Sequence, residues 1–410
     1  MNGFPTKTIE AVTQNIIDYR GKTPTKTAYG VKLITAKVVK GGFILDGEHE
    51  YIGESDYDDW MRRGLPMQWD ILITTEAPLG EVAQLRTPER IALAQRIILL
   101  RGDPKLIHQG YYFHALKSPF VQSALKARSS GTTVLGIKQS ELRQVEIPYP
   151  TLPVQKRIAF ILSAYDDLIE NNTRRIKILE EMAQMLYQEW FVNFRFPGHQ
   201  KVKMVESGSI PKGWMPKRLG DLCHETRRSV DPGEIDPATP YIGLEHLPRK
   251  SIALDEWGRA GDVGSTKLRF KSGEILFGKI RPYFHKVGVA PVDGVASSDA
   301  IVIVPNDPAY FGPVLCCVSS EDFVRHATQT SQGTKMPRAN WDVLTKYPLP
   351  LPGVALLEQF NGIVQPTVEM LQNLVFRNRN LRTTRDLVLP KLISGEIPVE
   401  AAEETMEQTA

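Results

Sequence analysis

The 410-residue sequence contains only three cysteines, Cys223, Cys316 and Cys317, too few for a disulfide framework. We therefore predict a reducing, cytoplasmic location, and we expect the adjacent pair to fill a hydrophobic core. No apolar run approaches the roughly 18 residues that a membrane-spanning helix needs, so we expect no membrane association. The N-terminal stretch also lacks the charged and then apolar pattern of a signal peptide.

The sequence also lacks a large excess of either charge, since its 50 Lys and Arg residues and 47 Asp and Glu residues leave a net charge of only +3. A free-standing DNA-binding protein normally carries a larger basic excess. A polyanionic partner would therefore need local basic patches, or a second subunit that neutralises phosphates. The composition, with 42% hydrophobic and 24% charged residues, is that of a globular protein. Its length predicts two or more domains.

Motifs for catalysis and for cofactor binding are missing. Segment 261–267 resembles a phosphate-binding loop, but its Lys follows the Ser-Thr pair, so we interpret it as a turn. There is no Asn/Asp-Pro-Pro-Tyr/Phe motif of the amino-methyltransferases, and the eight histidines have no metal-ligand spacing with the cysteines. Asp70 and Glu81 are not followed by the Glu-x-Lys of a nuclease site. We predict no catalysis, no metal and no cofactor in this chain.

Two long stretches have apolar residues at alternating spacings of four and three, which predicts helices that each turn one seam towards a partner helix. The first stretch is 153–196, and Asp166 and Glu180 are among the residues expected on its solvated face. Asn172 interrupts its seam, and a single buried Asn can determine the register of a helix pair. The first seam is Ile158, Leu162, Tyr165, Ile169, Asn172, Ile176, Leu179, Ala183, Leu186 and Trp190.

The second stretch, 353–396, has the same pattern with Asn378 inside its seam. We expect Pro366 to bend this helix and Pro390 to end it, and we expect the acidic tail 397–410 to be flexible. The matching seams predict that the two helices pack antiparallel. The second seam is Leu357, Phe360, Val364, Thr367, Leu371, Leu374, Asn378, Leu381, Arg385 and Val388.

Each long stretch follows a block of short strands and helices, and the second block repeats the first about 200 residues later. We predict an α+β protein with a pseudo-two-fold repeat, in which similar mixed α/β domains at 1–152 and 197–352 are separated by two long antiparallel coiled-coil helices. Within the first block, the spacing predicts one helix over 111–127. The matching segments are 69–72 with 273–276, 94–99 with 298–303, 130–133 with 332–335, and 147–153 with 347–352.

Five segments occur in an order and at a spacing that carry a family resemblance: Asp18–Pro24, Gly131–Lys138, Phe277–Tyr283, Gly333–Pro337 and Leu389–Ile397. With the repeat, they make the chain resemble the specificity (S) subunit of Type I restriction-modification systems. The resemblance implies two target-recognition domains that each read one half of a bipartite, asymmetric double-stranded DNA site, with the helices setting the spacing. It also implies two modification (methyltransferase) subunits that bind S-adenosylmethionine, and restriction/translocase subunits that use ATP and Mg.

Candidate DNA contacts are basic, hydroxyl or aromatic side chains on turns and loops, since these suit phosphates and base edges. Lys279, Arg281 and Tyr283 alternate and would share one side of a strand or extended loop, whereas the matching segment 74–78 has no basic residue. Each candidate is equally compatible with an ordinary solvated turn or a domain-closing loop. The candidates are Arg20, Lys22, Thr132, Thr133, Lys138, Arg227, Arg228, Lys279, Arg281, Tyr283, Thr334, Lys335 and Arg338.

The long helices are the candidate docking sites for the modification subunits. The residues chosen for that role are Tyr165, Asn172, Leu179, Leu186, Trp190, Leu371, Asn378 and Leu381. Two other classes of protein stay open from the sequence. One is a single-chain methyltransferase or nuclease, against which the missing cofactor motifs count. The other is a coiled-coil scaffold that binds no nucleic acid, which the modest charge permits. A specificity subunit of a modification-only system is a variant of the favoured class.

Overall fold

A computed structural model describes residues 3–19, 23–45, 49–86, 88–205 and 210–400. The chain divides into two compact units: unit 1 comprises residues 1–168 and 381–410, and unit 2 comprises residues 169–380. Each unit therefore contains one block of short elements and a section of both long helices. Among the described residues, none of the helices combines the length and apolarity that crossing a bilayer requires.

The elements are numbered in chain order. The helices are α1 (Ile9–Val12), α2 (Tyr57–Trp60), α3 (Gln109–Lys117), α4 (Pro119–Ala127), α5 (Gln139–Arg143), α6 (Leu152–Tyr187), α7 (Leu219–Leu222), α8 (Phe311–Val318), α9 (Glu321–Gln329), α10 (Trp341–Leu344) and α11 (Val354–Ser394). Short 3-10 turns lie at Glu54–Asp56, His199–Lys201, Pro232–Glu234, Ala260–Asp262, Pro282–Phe284 and Pro308–Tyr310.

The strands of unit 1 are β1 (Thr6–Thr8), β2 (Thr13–Asp18), β3 (Lys26–Thr27), β4 (Val31–Ile34), β5 (Val39–Lys40), β6 (Phe43–Ile44), β7 (Glu50–Ile52), β8 (Ile71–Thr75), β9 (Leu79–Gln84), β10 (Ile91–Leu93), β11 (Ile97–Gly102) and β12 (Glu146–Pro148). Those of unit 2 are β13 (Cys223–Thr226), β14 (Ser229–Val230), β15 (Pro240–Ile242), β16 (Gly258–Arg259), β17 (Lys267–Phe270), β18 (Ile275–Gly278), β19 (Val287–Val289), β20 (Gly294–Ala296) and β21 (Ala300–Pro305).

Unit 1 is built on an antiparallel sheet in the order β2-β11-β8-β9. Its two central strands, β8 and β11, are largely apolar runs because both of their faces are covered. Ile71 and Ile98 pack against the core formed with α3 and α4, whereas Leu72 and Leu99 pack against a second sheet in the order β10-β4-β7-β3. Alternate residues of each strand therefore enter opposite cores, as the two-residue period of a strand requires.

Unit 2 repeats this plan with a sheet in the order β13-β21-β18-β19 beside a five-stranded sheet, β14-β17-β20-β15-β16. Ile275 and Ile301 enter the core shared with α8 and α9, and Leu276 and Val302 enter the other core. The predicted α+β fold with a repeated domain is confirmed. The adjacent cysteines are buried in this core at 1% and 0% exposure, as expected, and Cys223 is buried there as well.

The two long helices pack antiparallel within each unit, and in unit 2 they do so through the two predicted asparagines. Asn172 Nδ2 donates to Asn378 Oδ1 over 3.0 Å, and the ring centroids of Trp190 and Phe360 lie 5.7 Å apart further along. In unit 1, Ile158 and Leu162 share a core with Leu389 and other residues of α11. The predicted seams are therefore the surfaces on which the helices meet.

Several predicted boundaries were wrong. The helix expected over 111–127 breaks at Ser118, which is extended ahead of Pro119 and caps α4 by accepting from the Val121 N–H. The first long helix stops earlier than Phe196, since α6 is followed by a π-helical turn at Gln188–Val192.

Pro390 does not end the second long helix, which continues to Ser394. Leu392 and Ile393 are buried beyond the proline, and their burial offsets the backbone hydrogen bond that the proline ring removes. The helix ends at Gly395, whose φ of +75° and the Glu396 N–H to Lys391 carbonyl bond form a left-handed C-cap. Of the predicted flexible tail, 397–410, Val399 is buried, and residues 401–410 lie outside the described residues.

Candidate nucleic-acid interface and helix pair

The two glycine-containing loops predicted to face DNA are built alike. In unit 1 the N–H of Ser130 donates to the Gly136 carbonyl over 2.8 Å, and the reverse bond is 2.9 Å. In unit 2 Gln332 and Arg338 exchange the same two bonds at 3.0 and 2.8 Å. Each loop turns on a left-handed glycine. At Gly131, with φ of +111°, a Cβ would lie 2.2 Å from the Val134 carbonyl oxygen. We call these segments loop 130–136 and loop 332–338.

Several sequence candidates lie on these loops with exposed side chains. They are Thr132, Thr133 and, just beyond the loop, Lys138 in unit 1, with Thr334, Lys335 and Arg338 in unit 2. Exposed apolar side chains accompany them, since Val134 and Met336 are 53% and 47% exposed. Hydroxyl, cationic and apolar groups on a projecting loop form a surface that suits a nucleic acid. Their role in contacting DNA stays a prediction.

The segment after β18 in unit 2 adds to the candidate DNA surface of loop 332–338. Loop 332–338 pairs with the segment after β18, because the Arg281 N–H donates to the Pro337 carbonyl over 2.7 Å and the Ala339 N–H to the Lys279 carbonyl over 2.8 Å. Residues 279 and 280 are thus extended, as expected, and Ile280 forms a β-bridge with Arg338. Tyr283 does not continue the alternation, because Arg281 is left-handed with φ of +49° and the 3-10 turn Pro282–Phe284 follows. Tyr283 is still half-exposed.

Two basic candidates of unit 2 are engaged in ion pairs with their neighbours. Arg227 lies 2.7 Å from Glu225, and Arg228 is paired with the mostly buried carboxylate of Glu274. The pairing gives Arg228 a structural role that the sequence did not indicate. Arg20 and Lys22 lie outside the described residues.

A buried group of charges links the first block to the helix pair within unit 1. Asp166, predicted to face solvent, is 0% exposed, and its Oδ1 accepts from Arg385 Nη1 over 2.6 Å. Its Oδ2 lies 3.7 Å from Lys117 Nζ and 4.0 Å from His114 Nδ1, both on α3. Burial lowers the pKa of His114 to about 3, so this imidazole is neutral near pH 7. Asp166 is therefore the counter-ion of Lys117 and Arg385.

Glu180 makes the corresponding connection in unit 2, and its predicted place on a solvated face was also wrong. Its Oε1 accepts from the Ser251 hydroxyl at 2.6 Å and from the N–H groups of Ile252 and Ala253 at 2.7 and 3.0 Å. Burial raises the pKa of this carboxyl more than the three hydrogen bonds lower it. One side chain of α6 thus holds the segment 251–253 against the helix.

The residues chosen from the sequence for partner docking need revision. Tyr165, Asn172, Trp190, Leu371 and Asn378 are buried by contacts within their own unit, at 7% exposure or less. Leu179, Leu186 and Leu381 are half-buried. The seam pattern therefore identified how the helices pack with each other, and a partner on their surface would meet other residues. The large apolar residues exposed on the two helices are Phe160, Leu168, Ile178, Met182, Met185, Val354, Ile363, Met370 and Leu387.

Two polar residues beside loop 130–136 were missed by the sequence analysis. Arg96 Nε lies 2.7 Å from Glu76 Oε1, and both side chains are more than 40% exposed. The backbone of Glu76 forms an antiparallel β-bridge with Gly136 of the loop. A polar cleft of about 390 Å³ is lined in part by Arg96, Gln95 and Lys138. Nothing in the local sequence pattern distinguishes Arg96 from other exposed arginines, because its surroundings come from distant segments.

Comparisons with known proteins agree with this architecture. The family model described as the Type I restriction modification DNA specificity domain matches residues 63–181. The Type I restriction enzyme MjaIX specificity subunit of Methanocaldococcus jannaschii is 30% identical over 345 residues, covering 80% of this chain and 78% of that one. The EcoDI specificity subunit of Escherichia coli is 23% identical over 332 residues, covering 72% and 71%. An S-subunit crystal structure from M. genitalium shares the fold, with a TM-score of 0.55 at 15% identity, covering 95% and 96%.

The repeated sheets and paired helices, together with these likenesses, define a DNA-specificity protein of the restriction-modification class. The chain belongs to the family of Type I restriction enzyme specificity subunits. As a specificity subunit with a DNA-specificity domain, the chain is assigned to DNA recognition and not to catalysis.

Proposed function

We propose that the two blocks are target-recognition domains, each reading one half of a bipartite, asymmetric double-stranded DNA site. The support is the repeat itself. The four-stranded sheets β2-β11-β8-β9 and β13-β21-β18-β19 have the same order, and the two loops close in the same way, while the side chains on loops 130–136 and 332–338 differ. A common frame with different reading surfaces suits an asymmetric site, whereas two identical surfaces would suit a palindrome.

The long helices would set the spacing between the two half-sites. The observation that carries this proposal is that α6, with 36 residues, and α11, with 41 residues, each include residues of both units. At 1.5 Å per residue these helices are roughly 54 and 62 Å long. Because the helix length would determine the spacing, the bases between the two half-sites would need no contact of their own.

The same helices would dock two modification subunits, which bind S-adenosylmethionine and methylate the DNA. The exposed apolar side chains of α6 and α11, such as Phe160, Met182 and Leu387, are the surface we assign to them. Restriction/translocase subunits using ATP and Mg would complete the complex in the cytoplasm. The net charge of +3 fits such an assembly, because partner subunits can supply phosphate neutralisation that this chain lacks.

Shortening both helices together tests the proposed spacing. Residue 172 faces 378 in unit 2, so removing 173–179 and 371–377 together deletes two matched heptads and preserves the pairing. Seven residues correspond to about 10 Å of helix, or about three base pairs. The assembled methyltransferase should then modify the same two half-sites with a spacer shorter by about three base pairs, as read by mapping methylated bases in host DNA.

The control removes residues 173–179 alone, which leaves the matching heptad 371–377 of α11 without its partner and should prevent assembly. A wild-type complex that methylates a single uninterrupted sequence would contradict the bipartite function. An unchanged spacer in a folded double-deletion complex would contradict the role of the helices.

A further inference from the structure

We propose that one structurally equivalent position determines a base preference in each recognition domain: Arg96 in unit 1 and Asp299 in unit 2. This proposal rests on the recognition function proposed above. It assigns a reading role to two residues that lie at the same place in the repeated frame and carry opposite charges.

The equivalence of the two residues follows from backbone hydrogen bonds. In unit 1 the N–H of Thr75, the last residue of β8, donates to the Arg96 carbonyl over 3.0 Å. In unit 2 the N–H of Lys279, directly after β18, donates to the Asp299 carbonyl over 3.0 Å. The carbonyls of Thr75 and Lys279 in turn accept from Ile137 and Ala339, which follow the two loops. Matching segment 94–99 with 298–303 by sequence places Arg96 opposite Ala300, one residue away from Asp299.

Each of the two side chains forms an ion pair with an oppositely charged residue that lies at or beside the glycine-containing loop of its own unit. Arg96 Nε lies 2.7 Å from Glu76 Oε1, and Glu76 pairs with Gly136 in loop 130–136. Asp299 Oδ1 lies 3.8 Å from Arg338 Nε, and Arg338 closes loop 332–338. An ion pair restricts the rotamers of a long side chain, so less freedom is lost when the side chain meets a base.

The chemistry of the two side chains suits base edges of different kinds. A guanidinium donates two parallel hydrogen bonds to the O6 and N7 atoms of guanine, whereas an aspartate accepts from the N4 amino group of cytosine. Arg96 is 49% and Asp299 35% exposed, so each retains surface for such a contact. Gln95, which lines the same cleft as Arg96, presents the amide that suits adenine.

Phosphate binding accounts less well for this position. A residue that only held the DNA backbone would be basic or neutral in both domains, because every phosphate carries the same charge. Asp299 would repel a phosphate at the place where Arg96 would attract one. The reversal of charge within a constant backbone frame therefore favours sequence reading.

The experiment uses the full chain assembled with its modification subunits, carrying Arg96→Ala, Asp299→Ala or both substitutions. Methylated positions are mapped in host DNA, and relative methylation rates are measured on oligonucleotides with each base changed in turn. Arg96→Ala should lower discrimination at one base pair of one half-site by about 10-fold to 100-fold. Asp299→Ala should act at one base pair of the other half-site, and the double variant should show both changes.

Two further variants separate reading from structural effects. Glu76→Gln should relax the same base pair as Arg96→Ala, to a smaller extent, because Glu76 only orients the guanidinium. Arg143→Ala removes another exposed ion pair of unit 1, 3.0 Å from Glu10, and should leave the recognised sequence unchanged.

The possible outcomes distinguish the two proposals. If the wild type reads a bipartite site and both alanine variants keep its full discrimination, the present assignment is wrong and the recognition function stands. Equal weakening at all sequences by Arg96→Ala would indicate a phosphate contact and would also overturn the assignment. If the wild type reads no bipartite site, the recognition function itself fails.

Discussion

Replacing Asp166 by Asn should destabilise unit 1 strongly while changing almost no volume. Asp166 is fully buried and neutralises Arg385 at 2.6 Å and Lys117 at 3.7 Å, whose side chains are 9% and 14% exposed. An amide leaves Lys117 without its buried counter-ion and leaves Arg385 with only the exposed carboxylate of Asp386, 2.8 Å away. Removing one partner of a buried ion pair typically costs about 3–5 kcal/mol, so we expect a loss in that range.

The pH dependence follows from the pKa of Asp166. Burial alone would raise this pKa, but Lys117 and Arg385 lower it, and the net pKa is below the ordinary value. The unfolded chain has an Asp pKa of about 3.9. The stabilisation by the carboxylate is therefore complete above about pH 4 and is lost as the pH falls through the lower folded value. The difference between wild type and Asp166→Asn should shrink over that acidic range.

The neighbouring Asp167 provides the matched control. It pairs with Arg86 at 2.6 Å but is 66% exposed, so Asp167→Asn should cost less than about 1 kcal/mol. Amide hydrogen exchange over residues 158–166 and 385–393 measures the stability locally, which is necessary because a chain of two units need not unfold in one step. Equal protection in the two variants would refute the counter-ion role of Asp166.

Two further predictions concern unit 2. Asn378→Leu should cost about 1–3 kcal/mol, because it leaves the buried amide of Asn172 without its partner. The Asn172→Leu/Asn378→Leu double variant should recover most of that loss. Denaturant unfolding measures both variants, and additive losses in the double variant would contradict the pairing. Glu180→Ala should cost a similar amount, because the Ile252 N–H and the Ser251 hydroxyl lose the acceptor that Glu180 provides. In the wild type, the folded-state pKa of Glu180 is raised above the unfolded value of about 4.3, so the wild type loses stability as the pH rises between these two values. Glu180→Gln has no such proton to lose and should gain stability relative to wild type over that range. A pH-independent difference would contradict this.

The periodicity of the sequence predicted the helix pair well, because burial against one straight partner leaves a regular pattern. Both asparagines lie in the seams as predicted, and even Arg385, an unlikely seam residue by polarity, is buried there. The same reasoning misplaced Asp166 and Glu180. Residues of the two blocks of short elements help to cover these side chains, Lys117 and His114 beside Asp166 and segment 251–253 beside Glu180. Contacts with segments distant in the chain leave no trace in the spacing.

The candidate interface was predictable only in part, for a related reason. The glycines of loops 130–136 and 332–338 mark the turns, since only glycine adopts their backbone angles without strain. Arg96 escaped notice because the two blocks were matched by their apolar runs, whereas the equivalent residues are defined by hydrogen bonds across the sheet. A shift of one residue was enough to hide the change of charge at Asp299.

The distribution of thiols has a practical consequence. All three cysteines are buried in unit 2 and unit 1 has none, and burial raises the pKa of Cys223 and Cys317 to about 12. Alkylating reagents attack the thiolate, so the native protein should resist them for as long as unit 2 stays closed. The native cysteines are thus a built-in probe. The rate at which they are labelled should report the opening of unit 2 and should not respond to the opening of unit 1.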